Sequence, residues 1–144
     1  MAGFASDDPY DLQRFVSAQD SVLAKVRPQL KNGRKSGHWM WFMFPQIKGL
    51  GSSDLARKFA ISSLEEAKAY IAHPMLGARL RELTELVNLI QHRSAEEIFG
   101  DIDALKFRSC MTLFSQATSE NDIFLTALQR YFAGQLDRLT LDRI

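Results

Sequence analysis

Apolar residues recur every three or four positions along most of the chain, which is the spacing of the buried face of a helix. Four such series stand out: Leu12, Phe15, Val16, Leu23 and Val26; Leu76, Leu80, Leu83, Val87 and Ile90; Phe107, Cys110, Met111 and Phe114; Phe124, Ala127, Leu128 and Tyr131. Alternating strand patterns are almost absent. The pattern predicts an all-α fold, an irregular multi-helix bundle around a largely buried central helix. Leu86 and Leu89 widen the second series, so we expect residues 76–90 to be that central helix.

Residues that favour helix ends lie between these series. Asp8 followed by Pro9 indicates an N-cap and the first residue of a helix. Pro28 is expected to end or kink that helix, because proline lacks an amide hydrogen. Residues 1–7 show no periodicity and are predicted to be a loose N-terminus.

Later helix ends carry capping signals. Ser63 with Glu66 and Ser94 with Glu97 match the capping box, in which the hydroxyl and the carboxylate each bond the other residue's amide. Gly134 is well placed to follow the last strong helix. No linker or repeat divides the chain, so we expect one helical domain over residues 8–144.

Composition adds a broad class to this pattern. Fractions of 46% hydrophobic and 24% charged residues exclude a wholly disordered chain. The longest apolar run, residues 39–44, is far too short to cross a bilayer, so no membrane partner is expected. A single cysteine, Cys110, excludes an internal disulfide and fits a reducing cytoplasm, which is the predicted location.

One stretch of the chain carries basic residues without acidic ones. Between Asp20 and Asp54 the basic residues are Lys25, Arg27, Lys31, Arg34, Lys35 and Lys48. Aromatic residues fill the segment 38–44, for which we predict a short helix capped by Ser36. A positive field beside aromatic faces can hold an anionic ligand with a planar base.

From this stretch we predict a small-ligand pocket between residues 34–46 and a helix over residues 103–116. The expected contacts are the charge partners Arg34, Lys35 and Lys106, the stacking surfaces Trp39 or Trp41, and the orienting groups Gln46 and Ser109. His38 is the candidate acid or base, because imidazole can titrate near neutrality. Two alternatives stay open: the aromatic residues can be core anchors, and Ser109 can bond the preceding turn of its own helix.

Other classes of site are not indicated. The three histidines are scattered, without a paired spacing such as i, i+4, so we predict no metal and no cofactor. A formal net charge of +1 lacks the basic footprint of a nucleic-acid-binding domain, so nucleic acid is not an expected partner. Cys110 belongs to an apolar series and is expected to be inert. No feature indicates the oligomeric state.

Several blocks of the sequence resemble a known family. They are residues 11–15, 36–46, 49–51, 73–80 and 105–114, together with Tyr131, Phe132, Gly134, Asp137 and Thr140. These blocks are similar to the bacterial family known as domain of unknown function 1810, from about Asp8 to the C-terminus. The resemblance implies a small, mainly α-helical protein without an established activity. Gly37 departs from the family pattern, which often has arginine or serine before the histidine.

Some members of that family carry the label calpastatin, after the inhibitor of calpain proteases. Calpastatin segments are disordered, whereas this sequence has the periodicity of a packed core, so we do not adopt that function. A remote likeness to helical proteins that act on ADP-ribose and related metabolites suggests that class of ligand instead.

Two hypotheses about function follow. The first is a cytoplasmic protein that binds a small anionic ligand, nucleotide-like or ADP-ribose-like. The alternative is a non-enzymatic protein-interaction module that docks a partner through residues 38–46, which predicts an exposed apolar patch around Trp41 and Phe44. The sequence favours neither a catalytic nor a purely binding role. A reaction would be hydrolysis or group transfer at a phosphoribosyl-type substrate.

Overall fold

The computed structural model describes residues 7–144, which contain ten α-helices and no β-strand. The helices are α1 Gln13–Asp20, α2 Leu23–Lys31, α3 Met40–Met43, α4 Asp54–Lys58, α5 Leu64–Ala72, α6 Pro74–Leu89, α7 Ala95–Phe99, α8 Asp101–Ala117, α9 Asp122–Phe132 and α10 Arg138–Leu141. The predicted all-α bundle is confirmed, and its helices share one apolar core. Of the predicted loose start at residues 1–7, all but the exposed Asp7 lie outside the described residues.

The most deeply buried helix is α8, which packs against α5, α7, α9 and α10. Ten of its 17 residues are buried. The predicted centre, α6, buries its apolar series but leaves Leu89 64% exposed, so the central helix is α8 and not residues 76–90. The sequence pattern understated the burial of α8 because hydroxyl residues interrupt its apolar series. The Ser109 hydroxyl donates to the Leu105 carbonyl oxygen of the preceding turn, which allows this residue to be buried.

The first helix begins later than predicted. It starts at Gln13 and not at Pro9, because the backbone of Asp11 has a φ of +53°, outside the helical region. Asp8 nevertheless caps the helix from a distance. Its carboxylate accepts hydrogen bonds from the backbone N–H groups of Leu12 and Gln13, at 2.7 and 3.0 Å.

Two other predicted helix signals have different outcomes in the structure. Pro28 lies inside α2, which does not end there, because Leu30 beyond it is fully buried and packing outweighs one lost hydrogen bond. Ser63 caps α5, but Glu66 does not complete a capping box. Its buried carboxylate instead accepts hydrogen bonds from Ser62 and forms an ion pair with Arg14 at 2.9 Å.

Two predicted helix ends are confirmed, and a third lies at His73. Ser94 and Glu97 form a complete capping box at the start of α7. Gly134 follows α9 with a φ of +77°, which glycine adopts without strain. His73 separates α5 from α6, and its Nδ1 accepts hydrogen bonds from two backbone N–H groups in the first turn of α6, at 3.1 and 3.2 Å.

The segment 33–46 runs from the end of α2 to the core beside α8. The Lys35 N–H donates to the Ile98 carbonyl oxygen at 2.8 Å, which fixes the segment against α7. The predicted short helix is α3, although Ser36 does not cap it. The Ser36 N–H donates instead to Gln29 Oε1 at 2.8 Å.

The C-terminal segment lies across α8. The Arg108 guanidinium donates to the carbonyl oxygens of residues 135 and 136, at 2.9 and 2.8 Å. The Arg143 guanidinium donates to the Gly49 carbonyl oxygen at 3.3 Å, which links the C-terminus to the loop before α4. These contacts gather α10 and the loop 46–51 around the N-terminal half of α8.

Candidate functional site

A cleft with two adjoining parts lies over the N-terminal half of α8, and we call it the α8 cleft. The first part, the Gln46 cavity, has a volume of about 370 Å³ and is lined by Gln46, Leu50, Gly51, Ile102, Leu105, Lys106, Ser109, Asp137 and Leu139. The second part, the His38 depression, is more open and is lined by His38, Trp41, Phe99, Gly100, Asp101, Ile102, Asp103 and Lys106. Ile102 and Lys106 border both parts.

Lys106 lies where the two parts meet. Its Nζ is 4.6 Å from the centroid of the Trp41 ring, within the range of a cation–π contact, and 3.4 Å from Asp103 Oδ1. The exposed His38 ring lies 6.5 Å from the ring of the half-buried Trp41, with the two planes tilted by 31°. The structure therefore brings the loop that carries His38 to the Lys106 face of α8.

Three of the predicted ligand contacts are engaged in the fold or lie outside the cleft. Lys35 Nζ is 2.9 Å from Asp103 Oδ2, and the lysine side chain is only 8% exposed. Trp39 is a core anchor, 4% exposed, whose indole N–H donates to a glutamine oxygen at 3.0 Å. Arg34 is exposed and lines neither part of the cleft. The predicted site residues that the cleft brings together are His38, Trp41, Gln46, Lys106 and Ser109.

The expected positive field is absent from the cleft. The carboxylates of Asp101, Asp103 and Asp137 line it. Against them stand the ammonium groups of Lys106 and of Lys35 behind Asp103, so negative charge is in excess by one. Two of these acids lie in the first turn of α8, where the helix dipole favours carboxylates. Lys35, which belongs to the stretch without acids, is thus neutralised by Asp103 of α8.

Asp137 was not predicted as a site residue, and it lies in the wall of the Gln46 cavity. Its Oδ2 accepts hydrogen bonds from the Ser109 hydroxyl at 3.0 Å, the Thr140 hydroxyl at 2.6 Å and the Thr140 N–H at 3.2 Å. Its own N–H donates to Thr112 Oγ1 at 2.8 Å. The single Ser109 hydroxyl proton is thus shared between the Leu105 carbonyl oxygen of its own helix and Asp137 Oδ2. No local pattern pairs residues 28 positions apart, so the sequence could identify only the Asp137 to Thr140 cap.

Gln46 is held by its backbone, which leaves its side chain in the cavity. Its carbonyl oxygen accepts from the Ile61 N–H at 3.0 Å, while its amide group makes no hydrogen bond to residues 7–144. Gly51 lies beside it. A Cβ at that position would be 2.8 Å from the Ala56 Cβ, closer than real contacts, and 3.7 Å from Gln46 Nε2. Glycine at this position therefore allows the loop to pack closely against α4.

Comparison with known proteins identifies the family. Residues 9–144 match the family described as "Protein of unknown function (DUF1810)". The chain belongs to this family. It is also similar to the conserved hypothetical protein Rv1873 from Mycobacterium tuberculosis, at 56% identity and a TM-score of 0.93, over 94% of this chain and 96% of that one. Among curated proteins, none matches the chain.

In this DUF1810 protein, exposed apolar side chains surround the Gln46 cavity. Ile102, Leu105 and Leu139 are 72%, 61% and 58% exposed. Phe44 is only 1% exposed, so the apolar patch predicted around Trp41 and Phe44 does not exist in that form. The exposed apolar surface near the cleft belongs to α8 and α10 and not to the aromatic segment.

Other reactive groups of the DUF1810 chain do not contribute to the cleft. Cys110 is fully buried, and burial raises the pKa of its thiol well above the ordinary value, which makes it a poor nucleophile. Within residues 7–144, no group of three or more acidic, histidine or cysteine side chains is arranged to hold a metal ion. None of the described helices is long and apolar enough to cross a membrane.

Proposed function

We propose that this protein binds a small, anionic, nucleotide-like ligand in the α8 cleft, with ADP-ribose and related metabolites as candidates. The observation that carries the proposal is the position of Lys106. It borders both parts of the cleft, so one ligand can contact it with an anionic group while a planar part enters the Gln46 cavity. A volume of about 370 Å³ lies within the range of small-ligand pockets.

The pairing of Asp103 leaves Lys106 available to a ligand. One oxygen of Asp103 contacts Lys35 at 2.9 Å, whereas the other is 3.4 Å from Lys106, beyond the usual length of a charged hydrogen bond. A phosphate oxygen at normal distance would therefore be a better partner for Lys106 than Asp103 is. Trp41 offers a flat apolar surface beneath the same ammonium group.

His38 is the candidate acid or base within this proposal. It is exposed at the edge of the depression that Lys106 borders, so it can approach a bound anionic group. The corresponding reaction is hydrolysis or group transfer at a phosphoribosyl-type ligand. The proposal also includes a location in the bacterial cytoplasm, which is supported by a single, buried cysteine.

The test is a thermal-shift and calorimetric titration with AMP, ADP-ribose and ribose 5-phosphate. A true ligand at 100 times its Kd should stabilise the folded protein by about 2.7 kcal/mol. Lys106→Met should lose this stabilisation, whereas Lys68→Met, which removes an exposed lysine from α5, should retain it. Equal binding by Lys106→Met and wild type, or no binding of any of the three compounds, would overturn the proposal.

A second candidate function is self-association through the apolar rim of the cleft. The exposed side chains of Ile102, Leu105 and Leu139 favour it, because such groups are often covered by another molecule. Light scattering after gel filtration, over a range of protein concentrations, tests this function. A dimer that Leu105→Ser dissociates would support it, and a monomer at all concentrations would exclude it.

A further inference from the structure

We infer that Asp137 is a ligand-contacting residue, whose Oδ1 selects a ligand with an N–H or O–H donor at that position. The inference rests on the proposed function and names the part of the ligand opposite its anionic group. It starts from a difference between the two oxygens of one carboxylate. Oδ2 accepts three hydrogen bonds from Ser109 and Thr140. Oδ1 accepts none from residues 7–144 and is accessible at the cavity wall.

The surroundings of Asp137 leave its charge without a cationic partner. Within residues 7–144, no lysine, arginine or histidine nitrogen lies within 4.0 Å of its carboxylate, although Lys106 lines the same cavity. An acceptor in a partly enclosed, partly apolar cavity gains most from a donor that replaces water. The cavity wall thus favours a ligand group with an N–H or O–H.

Gln46 narrows the class of ligand. Its amide supplies an NH₂ donor group and a carbonyl acceptor to the same cavity, without a protein partner among the described residues. Leu50 and Leu105 supply aliphatic walls. A flat heterocycle with an amino group beside a ring acceptor fits this combination, and so does a ribose with free hydroxyls. Both present the donor that Asp137 requires, and the experiment separates them.

The substitution Asp137→Asn tests the role of Oδ1 separately from that of Oδ2. The Thr140 N–H can only donate, so the asparagine carbonyl oxygen should occupy the Oδ2 position and its NH₂ should replace Oδ1. The variant therefore keeps the bonds to Ser109 and Thr140 but presents a donor to the cavity. Asp142→Asn is the matched control, because Asp142 lies on the same segment and its exposed carboxylate pairs with the exposed Arg138.

The experiment measures the Kd of three probes: AMP, purine riboside 5′-monophosphate, which lacks the amino group, and 2′-deoxy-AMP. Loss of either the amino group or the 2′-hydroxyl from AMP should weaken binding to the wild-type protein about tenfold, which is the effect of a hydrogen bond to a charged group. Loss of the same group should change binding to Asp137→Asn by less than about twofold, because the variant lacks the Oδ1 acceptor. Asp142→Asn should behave as wild type.

The outcomes separate this inference from the proposed function. Equal binding of all three probes to wild type would overturn the inference, and this comparison stands even if Asp137→Asn does not fold. The inference would also be overturned if Asp137→Asn still bound AMP about tenfold more tightly than the probe that lacks the contacted group. Failure of AMP alone, while ADP-ribose or ribose 5-phosphate binds, would overturn the inference and leave the proposed function. If AMP, ADP-ribose and ribose 5-phosphate all fail to bind, both the inference and the proposed function are overturned.

Discussion

Asp103 contacts two lysines, so its removal should lower the stability of the protein and raise its affinity for an anionic ligand. Its carboxylate contacts Lys35 at 2.9 Å and Lys106 at 3.4 Å. In Asp103→Asn the nearly buried ammonium group of Lys35 loses its charge partner, while Lys106 at the cleft loses its competitor for an anion. We therefore expect a less stable protein with a higher affinity for an anionic ligand.

The magnitude follows from the burial of the two groups. Two unit charges at these distances attract by about 5–6 kcal/mol at an effective dielectric constant of 20. Removing one partner of a buried pair costs about 3–5 kcal/mol. Asp103 keeps 20% of its side chain exposed, so water replaces part of the interaction. The expected loss in the free energy of unfolding is about 2–4 kcal/mol. The freed Lys106 should tighten anion binding about two- to fivefold, the range of a partly exposed ion pair.

Urea unfolding followed by circular dichroism measures the change in the free energy of unfolding, and calorimetric titration measures the change in affinity for the anionic ligand. The double variant Lys35→Met with Asp103→Asn should recover most of the lost stability, because no unpaired charge remains buried. Asp142→Asn, which removes an exposed acid, should change stability by less than about 0.5 kcal/mol. An unchanged unfolding midpoint in Asp103→Asn, or a double variant no more stable than the single one, would refute this reasoning.

Three further predictions concern other parts of the fold. Arg14→Met leaves the buried Glu66 carboxylate without its cation and should lower the free energy of unfolding by about 3–5 kcal/mol in urea; a loss below about 1 kcal/mol would contradict the ion pair's role. His73→Ala removes the acceptor that caps α6 and should cost about 1 kcal/mol, with His73→Asn restoring most of it. The Cys110 thiol should not react with a disulfide reagent unless the protein unfolds. Because burial raises its pKa above the unfolded value of about 9, the stability it contributes is present below that pH and is lost as the pH rises further, a slope that Cys110→Ala should reduce.

The sequence by itself determined the longer helices in the second half of the chain and most of the residues that enter the core. Periodicity located the buried series of α6, α8 and α9, and the capping residues of α7 marked its start. These features depend on neighbours within one or two helical turns, whose spacing is the same in the sequence and in the structure. Where long-range contacts compete with local rules, the sequence predicted wrongly. Glu66 left its capping box to pair with Arg14, 52 residues away.

Only the tertiary structure decided the chemistry of the cleft. The basic stretch around Lys35 predicted a positive site, but Asp103, from a helix that begins 66 residues later, pairs with that lysine. Asp137 reaches Ser109 because the C-terminal segment lies across α8. The electrostatic potential at a site is a sum over distances in space, and separation along the chain does not constrain those distances beyond a few turns. A helix can therefore be predicted from its own residues, whereas the charge and shape of a cleft depend on which helices meet there.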